Sequence, residues 1–175
     1  MSLFKIAKAR AGGKKISDIP VVFLSFDEPN ADENWESLKS ITPHDQIARV
    51  HGVVGFDAAH KAAANEFPNS EYIITVDADN KVEPEFFNKP LPDSMNGKVS
   101  FTWGGRQYTN GLMYGNGGMS CWTKEFVYAM RTHEATDGTE ANDVEFCFYP
   151  NYWADRKSTR LNSSHIPLSR MPSSA

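Results

Sequence analysis

Two aspartates separated by one residue, Asp77 and Asp79, directly follow an apolar run at residues 72–76. Carboxylate oxygens are hard ligands that suit Mg²⁺ or Mn²⁺ better than Zn²⁺. A divalent ion held there would act as a Lewis acid on the departing oxygen of a diphosphate. The pair alone is a weak signal, because a solvated turn can have the same sequence. Its position at the end of a buried strand favours the metal site.

Two other acidic-loop chemistries fit the sequence less well. A calcium loop counted from Asp77 needs glycine at its sixth position and glutamate at its twelfth, where this chain has Val82 and Asn88. A haloacid-dehalogenase-like phosphatase carries its acidic pair on the first strand, with Thr or Val two residues beyond, and that position is Lys81 here. The calcium loop is therefore rejected, and the phosphatase ranks below the diphosphate site.

The elements that must position the acidic pair alternate between strands and helices. Residues 19–26 and 72–76 are short apolar runs typical of strands, and residues 46–51 between them are also predicted to form a strand. Residues 31–41 and 52–67 carry apolar side chains at spacings of three and four, which predicts amphipathic helices. This alternation predicts an α/β fold with a mostly parallel sheet, flanked by helices and joined by right-handed crossovers.

Ligands of such sheets collect at the carboxyl ends of the strands. Asp27 follows the first predicted strand and Asp77 ends the third, so the two acids are expected to share one crevice. For Asp27, a helix-start acid beside Pro29 is an equally good interpretation.

The second half of the chain has a different pattern. Strands are predicted at residues 98–103 and 107–114, a flexible glycine-rich turn at 115–118, and a helix over 123–131 capped by Thr123.

Several aromatic and histidine residues have two interpretations. Trp103, Trp122 and Tyr114 would form either a stacking wall for a sugar or part of the core, and the core is the commoner role. His60 lies on an alanine-rich helix, where packing or a surface position is expected rather than ligand binding. His51 belongs to no metal-ligand spacing.

Composition limits the class of protein. The chain has 175 residues, 40% of them hydrophobic and 23% charged, which fits one folded domain rather than a disordered chain. No apolar stretch approaches the roughly 20 residues of a membrane span. Cys121 and Cys147 lack CxxC spacing, so reduced thiols and a cytoplasmic location are expected, with a disulfide between the two as the alternative.

The carboxyl-terminal segment from about Asp155 onward resembles, codon for codon on back-translation, a widely used short-read sequencing adapter. We therefore expect residues 154–175 to be a non-native tail and the natural chain to be truncated near Trp153. The segment holds four basic residues and one acidic residue, so without it the formal net charge changes from −4 to −7. An acidic domain is a poor candidate for nonspecific nucleic-acid binding, and no nucleic-acid partner is expected.

The order of the motifs resembles the nucleotide-sugar glycosyltransferases of the GT-A (Rossmann-like) fold, especially family-2-like members. The matching segments are Asp27-Glu28, the Gly-x-x-x-Ala helix at 55–63, the Asp-x-Asp strand at 73–79, Pro84-Glu85-Phe86, the glycine-rich 115–118 and the acidic 142–145. This resemblance implies a partial GT-A domain at 19–153, incomplete at its carboxyl end and preceded by an arm at 1–18. We expect this partial chain to be inactive or unstable.

The resemblance also implies roles on the donor side of a glycosyltransferase site. Asp77 would contact ribose or metal, and Asp79 would coordinate a Mn²⁺ or Mg²⁺ ion that bridges the diphosphate of a nucleotide-diphospho-sugar. Asp27 would recognise the nucleobase or ribose, with Lys61 near the donor.

On the acceptor side, the resemblance implies that Asp143 is the general base for a hydroxyl of a glycan or other acceptor, with Glu145 in reserve. A helix N-cap is an alternative role for Asp143. The family usually has glutamate where this chain has Asn142.

The implied function is sugar transfer, and two alternatives remain. A non-catalytic GT-A-like domain that binds nucleotide-sugar or glycan would fit the Asn142 difference. A sugar nucleotidyltransferase is less favoured, because residues 23–30 lack its glycine-rich loop.

Overall fold

The computed structural model describes residues 14–91, 100–107, 109–114 and 118–131. Its main sheet has five strands, namely β1 (Val21–Ser25), β2 (Ile47–His51), β3 (Tyr72–Asp77), β4 (Ser100–Thr102) and β7 (Met119–Thr123). Their order across the sheet is β2-β1-β3-β7-β4. A separate hairpin pairs β5 (Gly105–Arg106) with β6 (Met113–Tyr114). The helices are α1 (Ala31–Ile41), α2 (Phe56–Glu66) and α3 (Lys124–Ala129), with 3₁₀ helices at Ile16–Asp18 and Pro84–Asn88.

Four of the five strands point in one direction. β1 pairs in parallel with both β2 and β3, whereas β7 pairs antiparallel with both β3 and β4. β4 therefore runs the same way as the first three strands, and the prediction of an α/β fold with a mostly parallel sheet is confirmed. In register, Leu24 is opposite Asp77, and Ser25 is opposite His51. The carboxyl-terminal ends of β1, β2 and β3 thus lie together along one end of the sheet, here named the carboxyl edge.

Alternate residues of the strands supply two separate cores, as the twofold period of a strand requires. On one face, Phe23, Ile74 and Val76 pack with Leu38 of α1 and the buried aromatic residues of Pro84–Asn88. On the other face, strand and helix side chains form a second buried cluster. The strands contribute Val22, Val50, Ile73 and Trp122, and the helices contribute Ala63 and Ala64 of α2 and Val127 of α3. Within the described ranges, none of the helices has the length and apolar content needed to cross a bilayer.

The prediction for the second half of the chain was partly wrong. Residues 107–114 are not one strand, because the chain turns at Gly111 (φ +71°), whose N–H donates to the Gln107 carbonyl over 2.8 Å. The strand β7 was not predicted at all. Its sequence, Met-Ser-Cys-Trp-Thr, has little β-branched content, and it is stabilised instead by pairing on both sides. Thr123 does precede α3, but its side chain makes no capping hydrogen bond.

The two tryptophans of the suggested stacking wall belong to the core. Trp103 is fully buried against the rings of Phe86 and Phe101, and Trp122 is 2% exposed. The wall hypothesis is therefore wrong for both, while the side chain of Tyr114 lies outside the described residues. His60 is buried and stacks on Phe56, with 4.1 Å between the ring centroids, so its expected packing role is confirmed.

One buried hydrogen bond crosses from β7 to β3. The indole Nε1 of Trp122 donates to Thr75 Oγ1 over 2.8 Å, and both residues are almost fully buried. We expect Thr75→Val to lower the free energy of unfolding by about 1–3 kcal/mol, because the buried indole N–H loses its acceptor. Urea unfolding measures this loss. In a Trp122→Phe background the same substitution should cost far less, and an equal cost in both backgrounds would contradict the explanation.

Cys121 of β7 is a free and fully buried thiol. Burial raises the pKa of Cys121 far above its ordinary value. Because the thiolate is the reactive form, we expect iodoacetamide to leave Cys121 unmodified in the folded protein and to modify it fully in denaturant. Mass spectrometry of the peptide that contains residue 121 measures both reactions. Equal labelling rates in the two conditions would contradict the burial.

Candidate functional site

The carboxyl edge brings together the acids predicted from the two strands. Asp77 is the last residue of β3 and is half-buried, while Asp27 is exposed, two residues beyond the end of β1. Because β1 and β3 are parallel neighbours, both acids lie at the same edge. The loop after β1 is fixed by the Phe26 N–H, which donates to Glu28 Oε2 over 2.8 Å.

The chain turns sharply after β3, and residues 77–80 are here named the acidic turn. The Asn80 N–H donates to the Asp77 carbonyl over 3.0 Å and closes the turn. Within it, Asp79 is only 7% exposed. A buried carboxylate is costly unless donors or a cation compensate its charge, and Asn80 Nδ2 supplies one donor to Asp79 Oδ1 at 2.9 Å.

The side chain of Asn80 connects this turn to the rest of the sheet. Its Nδ2 also faces the carbonyl oxygen of Asp77 at 3.0 Å and that of Gly118 at 3.5 Å. Asn80 is 1% exposed, and its Oδ1 has no hydrogen-bond partner among the described residues. Asn80 was not predicted from the sequence. The available signal was an amide residue directly after a pair of acids at the end of a buried strand.

Gly118 holds the acidic turn from the side of β7. Its carbonyl accepts the Asp77 N–H over 2.8 Å, and its φ of +70° is in the left-handed region that favours glycine. A Cβ atom at this position would collide with the carboxylate of Asp77 and come within 2.8 Å of Asn80 Nδ2. The absence of a side chain at residue 118 is therefore what allows the start of β7 to lie so close to the Asp77 carboxylate.

Helix α1, which packs on one face of the sheet, also holds this turn. Asn34 is 6% exposed, and its Nδ2 donates to the Ala78 carbonyl over 2.8 Å. The backbone between the two aspartates is thus fixed by a buried hydrogen bond. The acidic turn is positioned by α1 and β7 together, which the sequence did not reveal.

A second polar cluster lies at the carboxyl edge between β1 and β2. Ser25 Oγ accepts a hydrogen bond from Arg49 Nε over 2.9 Å and lies 3.0 Å from His51 Nδ1. Arg49 Nη1 also pairs with Asp32 Oδ1 at 2.6 Å. His51, which sequence spacing left unassigned, is therefore held in a defined orientation beside the end of β1, with its side chain exposed.

The oxygen atoms of the acidic turn are of the kind that a hard divalent cation prefers as ligands. Asp77, Asp79 and Asn80 offer carboxylate and amide oxygens, the ligands that Mg²⁺ and Mn²⁺ prefer. No group of three or more His, Cys, Asp or Glu side chains that could hold a metal occurs among the residues described. Any metal here would consequently have only two carboxylate ligands from this part of the chain.

Of the three remaining predicted site residues, the structure describes only Lys61. Lys61 is half-buried in the second turn of α2, the helix that begins just after β2 reaches the carboxyl edge. The predicted bases Asp143 and Glu145 lie outside the described residues.

Comparisons with known proteins give only distant likenesses. No family model and no curated protein sequence matches the chain. Among solved structures, one similar chain is a glycosyltransferase involved in glycosylation of the major capsid of PBCV-1 (18% identity, TM-score 0.45, covering 76% of this chain and 83% of that one). The bifunctional IspDF from Campylobacter jejuni is similar at 10% identity and TM-score 0.45, covering 75% and 49%. HddC from Yersinia pseudotuberculosis is similar at 13% identity and TM-score 0.43, covering 89% and 78%.

Proposed function

We propose that this chain is a metal-dependent glycosyltransferase domain, which transfers a sugar from a nucleotide-diphospho-sugar to a hydroxyl group of a glycan or another acceptor. The observation that supports it best is the acidic turn itself. A nearly buried carboxylate, Asp79, is fixed by an adjacent amide at the carboxyl edge, beside the half-buried Asp77. Parallel α/β sheets bind their ligands at this edge.

In this proposal the nucleotide-diphospho-sugar binds at the carboxyl edge. Asp77 and Asp79 would hold Mn²⁺ or Mg²⁺, which when bound neutralises charge on the diphosphate leaving group. Asp27, exposed beyond β1, is within the same edge and would contact the nucleobase or ribose. Lys61 would lie near the donor.

The acceptor side of the proposal rests on the resemblance in sequence. Asp143, with Glu145 in reserve, would take the proton from the acceptor hydroxyl. The acceptor oxygen then forms a bond to the anomeric carbon while the bond from that carbon to the diphosphate oxygen breaks. The products are the glycosylated acceptor, a nucleoside diphosphate and a protonated carboxyl group. We propose a cytoplasmic location for this reaction.

The proposal is tested by incubating the protein with UDP-, GDP- and dTDP-sugars, with Mn²⁺ or with EDTA. We expect release of the nucleoside diphosphate from one donor class, dependent on Mn²⁺. Formation of a nucleotide-sugar from a sugar phosphate and a nucleoside triphosphate would instead indicate a nucleotidyltransferase. Tight Mn²⁺-dependent binding of a donor without any turnover would indicate a non-catalytic binding domain.

A further inference from the structure

The side-chain amide of Asn80 has partners for its nitrogen but none for its oxygen among the described residues. Its nitrogen faces three oxygen atoms of the protein, namely Asp79 Oδ1 and the carbonyl oxygens of Asp77 and Gly118. Its oxygen is buried and has no hydrogen-bond partner in the described part of the chain. Because a buried acceptor without a partner is unfavourable, the oxygen is expected to have a ligand in the functional state of the protein.

The orientation of this amide is fixed by its surroundings. Exchanging its nitrogen and oxygen would place the oxygen against three atoms that can only accept hydrogen bonds, so the alternative orientation is excluded. The covalent geometry of an amide keeps its oxygen about 2.2 Å from its nitrogen. Since Asn80 Nδ2 is 2.9 Å from Asp79 Oδ1, the amide oxygen lies no more than about 5 Å from that carboxylate oxygen, a separation that two ligands of one cation can span.

We propose that Asn80 Oδ1 is a third oxygen ligand of the divalent cation, beside the carboxylates of Asp77 and Asp79, and that its NH₂ group orients Asp79 for the same ion. This inference rests on the metal site of the proposed function. Amide oxygens are regular ligands of hard cations, and the described residues provide only two carboxylates. A cation held by the two carboxylates would also give the buried Asn80 oxygen the partner that it lacks among the described residues.

A first experiment needs no substitution. The protein is labelled with ¹³C in its asparagine side chains and titrated with Mg²⁺, in the absence and presence of UDP or GDP. We expect the Cγ resonance of Asn80 to shift with Mg²⁺, because its oxygen binds the ion. The Cγ resonance of Asn34 should move little and serves as the internal control, since its amide contacts the acidic turn only through the Ala78 carbonyl. Saturable Mg²⁺ binding that leaves the Asn80 Cγ resonance unchanged would overturn the inference.

A second experiment compares the affinity of Mn²⁺ for three variants, measured from the electron paramagnetic resonance signal of free Mn²⁺. We expect Asn80→Ala to bind Mn²⁺ at least tenfold more weakly than the unsubstituted protein. Asn80→Asp keeps an oxygen ligand and should restore most of the affinity, although it loses the NH₂ contacts. Asn34→Ala loosens the acidic turn without removing an oxygen atom that faces the ion, so it should lose less affinity than Asn80→Ala does.

The two levels of failure are distinguishable. If the unsubstituted protein binds neither Mn²⁺ nor Mg²⁺ with UDP or GDP present, the metal site of the proposed function is wrong, and this inference is wrong with it. If the protein binds Mn²⁺ and Asn80→Ala binds it equally well, only the role of Asn80 is wrong. A folding defect in Asn80→Ala is detected by circular dichroism, and the Mg²⁺ titration of the unsubstituted protein then decides.

Discussion

Replacing Gly118 by alanine is expected to lower the free energy of unfolding by about 2–5 kcal/mol and to weaken Mn²⁺ binding. The left-handed backbone at φ +70° costs an alanine about 1–2 kcal/mol. The added methyl group also collides with the carboxylate of Asp77 and with Asn80 Nδ2, and overpacking of this kind costs about 1–3 kcal/mol. Either β7 moves away from β3 or the acids leave their positions. Urea unfolding and Mn²⁺ titration measure the two effects.

Gly111 offers a closely matched control for this substitution. Its φ of +71° imposes the same backbone strain on alanine, but no atom lies within 4 Å of an added Cβ. We therefore expect Gly111→Ala to cost about 1–2 kcal/mol and to leave Mn²⁺ affinity unchanged. If both substitutions have the same cost and the same small effect on Mn²⁺, the close approach of Gly118 to the acidic turn has no functional role.

The sequence was sufficient for the first half of the fold because local patterns there agree with tertiary pairing. The predicted strand at 72–76 became β3, and the helix at 31–41 became α1 with the predicted bounds. The predicted helix at 52–67 begins later, at Phe56, because Gly52 and Gly55 both adopt positive φ and keep the chain out of the helical conformation. Periodicity thus located the elements, while backbone geometry set their ends.

The sequence failed where pairing overrides local preference. β7 contains few strand-forming residues, yet it lies between β3 and β4 with Met119, Cys121 and Trp122 buried. No local pattern distinguishes such a strand from a turn before a helix. The antiparallel pairing of β7 with β3 also places Gly118 against Asp77. Because β7 was not predicted, the contact between Gly118 and the acidic turn was not predicted either.

The acidic residues of the candidate site could be predicted from the sequence. The amide residues that hold the acidic turn in position could not. The carboxylates Asp27 and Asp77 were placed at one edge by the rule for parallel strands, and the structure shows this arrangement. The contacts of Asn34 and Asn80 join residues 44 and 38 positions apart in sequence, and a buried amide leaves no periodic signal. The roles of all these residues in catalysis stay predictions.

Substituting asparagine for Asp79 is expected to abolish Mn²⁺-dependent release of nucleoside diphosphate, with a loss of at least about a thousandfold. Lewis-acid stabilisation of a leaving group contributes several kcal/mol, and each 1.36 kcal/mol corresponds to about a factor of ten in rate. The new side chain has the same shape, and its one oxygen still accepts the hydrogen bond of Asn80 Nδ2, so the acidic turn should keep its structure while the negative charge that attracts the ion is lost. Donor turnover, together with Mn²⁺-dependent binding of UDP or GDP by calorimetry, measures the loss.

Asp45→Asn is the matched control, because Asp45 is exposed and precedes β2 at the opposite edge of the sheet. It removes the same charge without touching the carboxyl edge, so Mn²⁺ affinity and turnover should stay within twofold of the unsubstituted protein. The comparison separates a local ligand from the general effect of net charge on cation binding. If Asp79→Asn turns over donor as fast as Asp45→Asn does, the metal is not held by the acidic turn, and the burial of Asp79 then serves only the junction of β3 with β7.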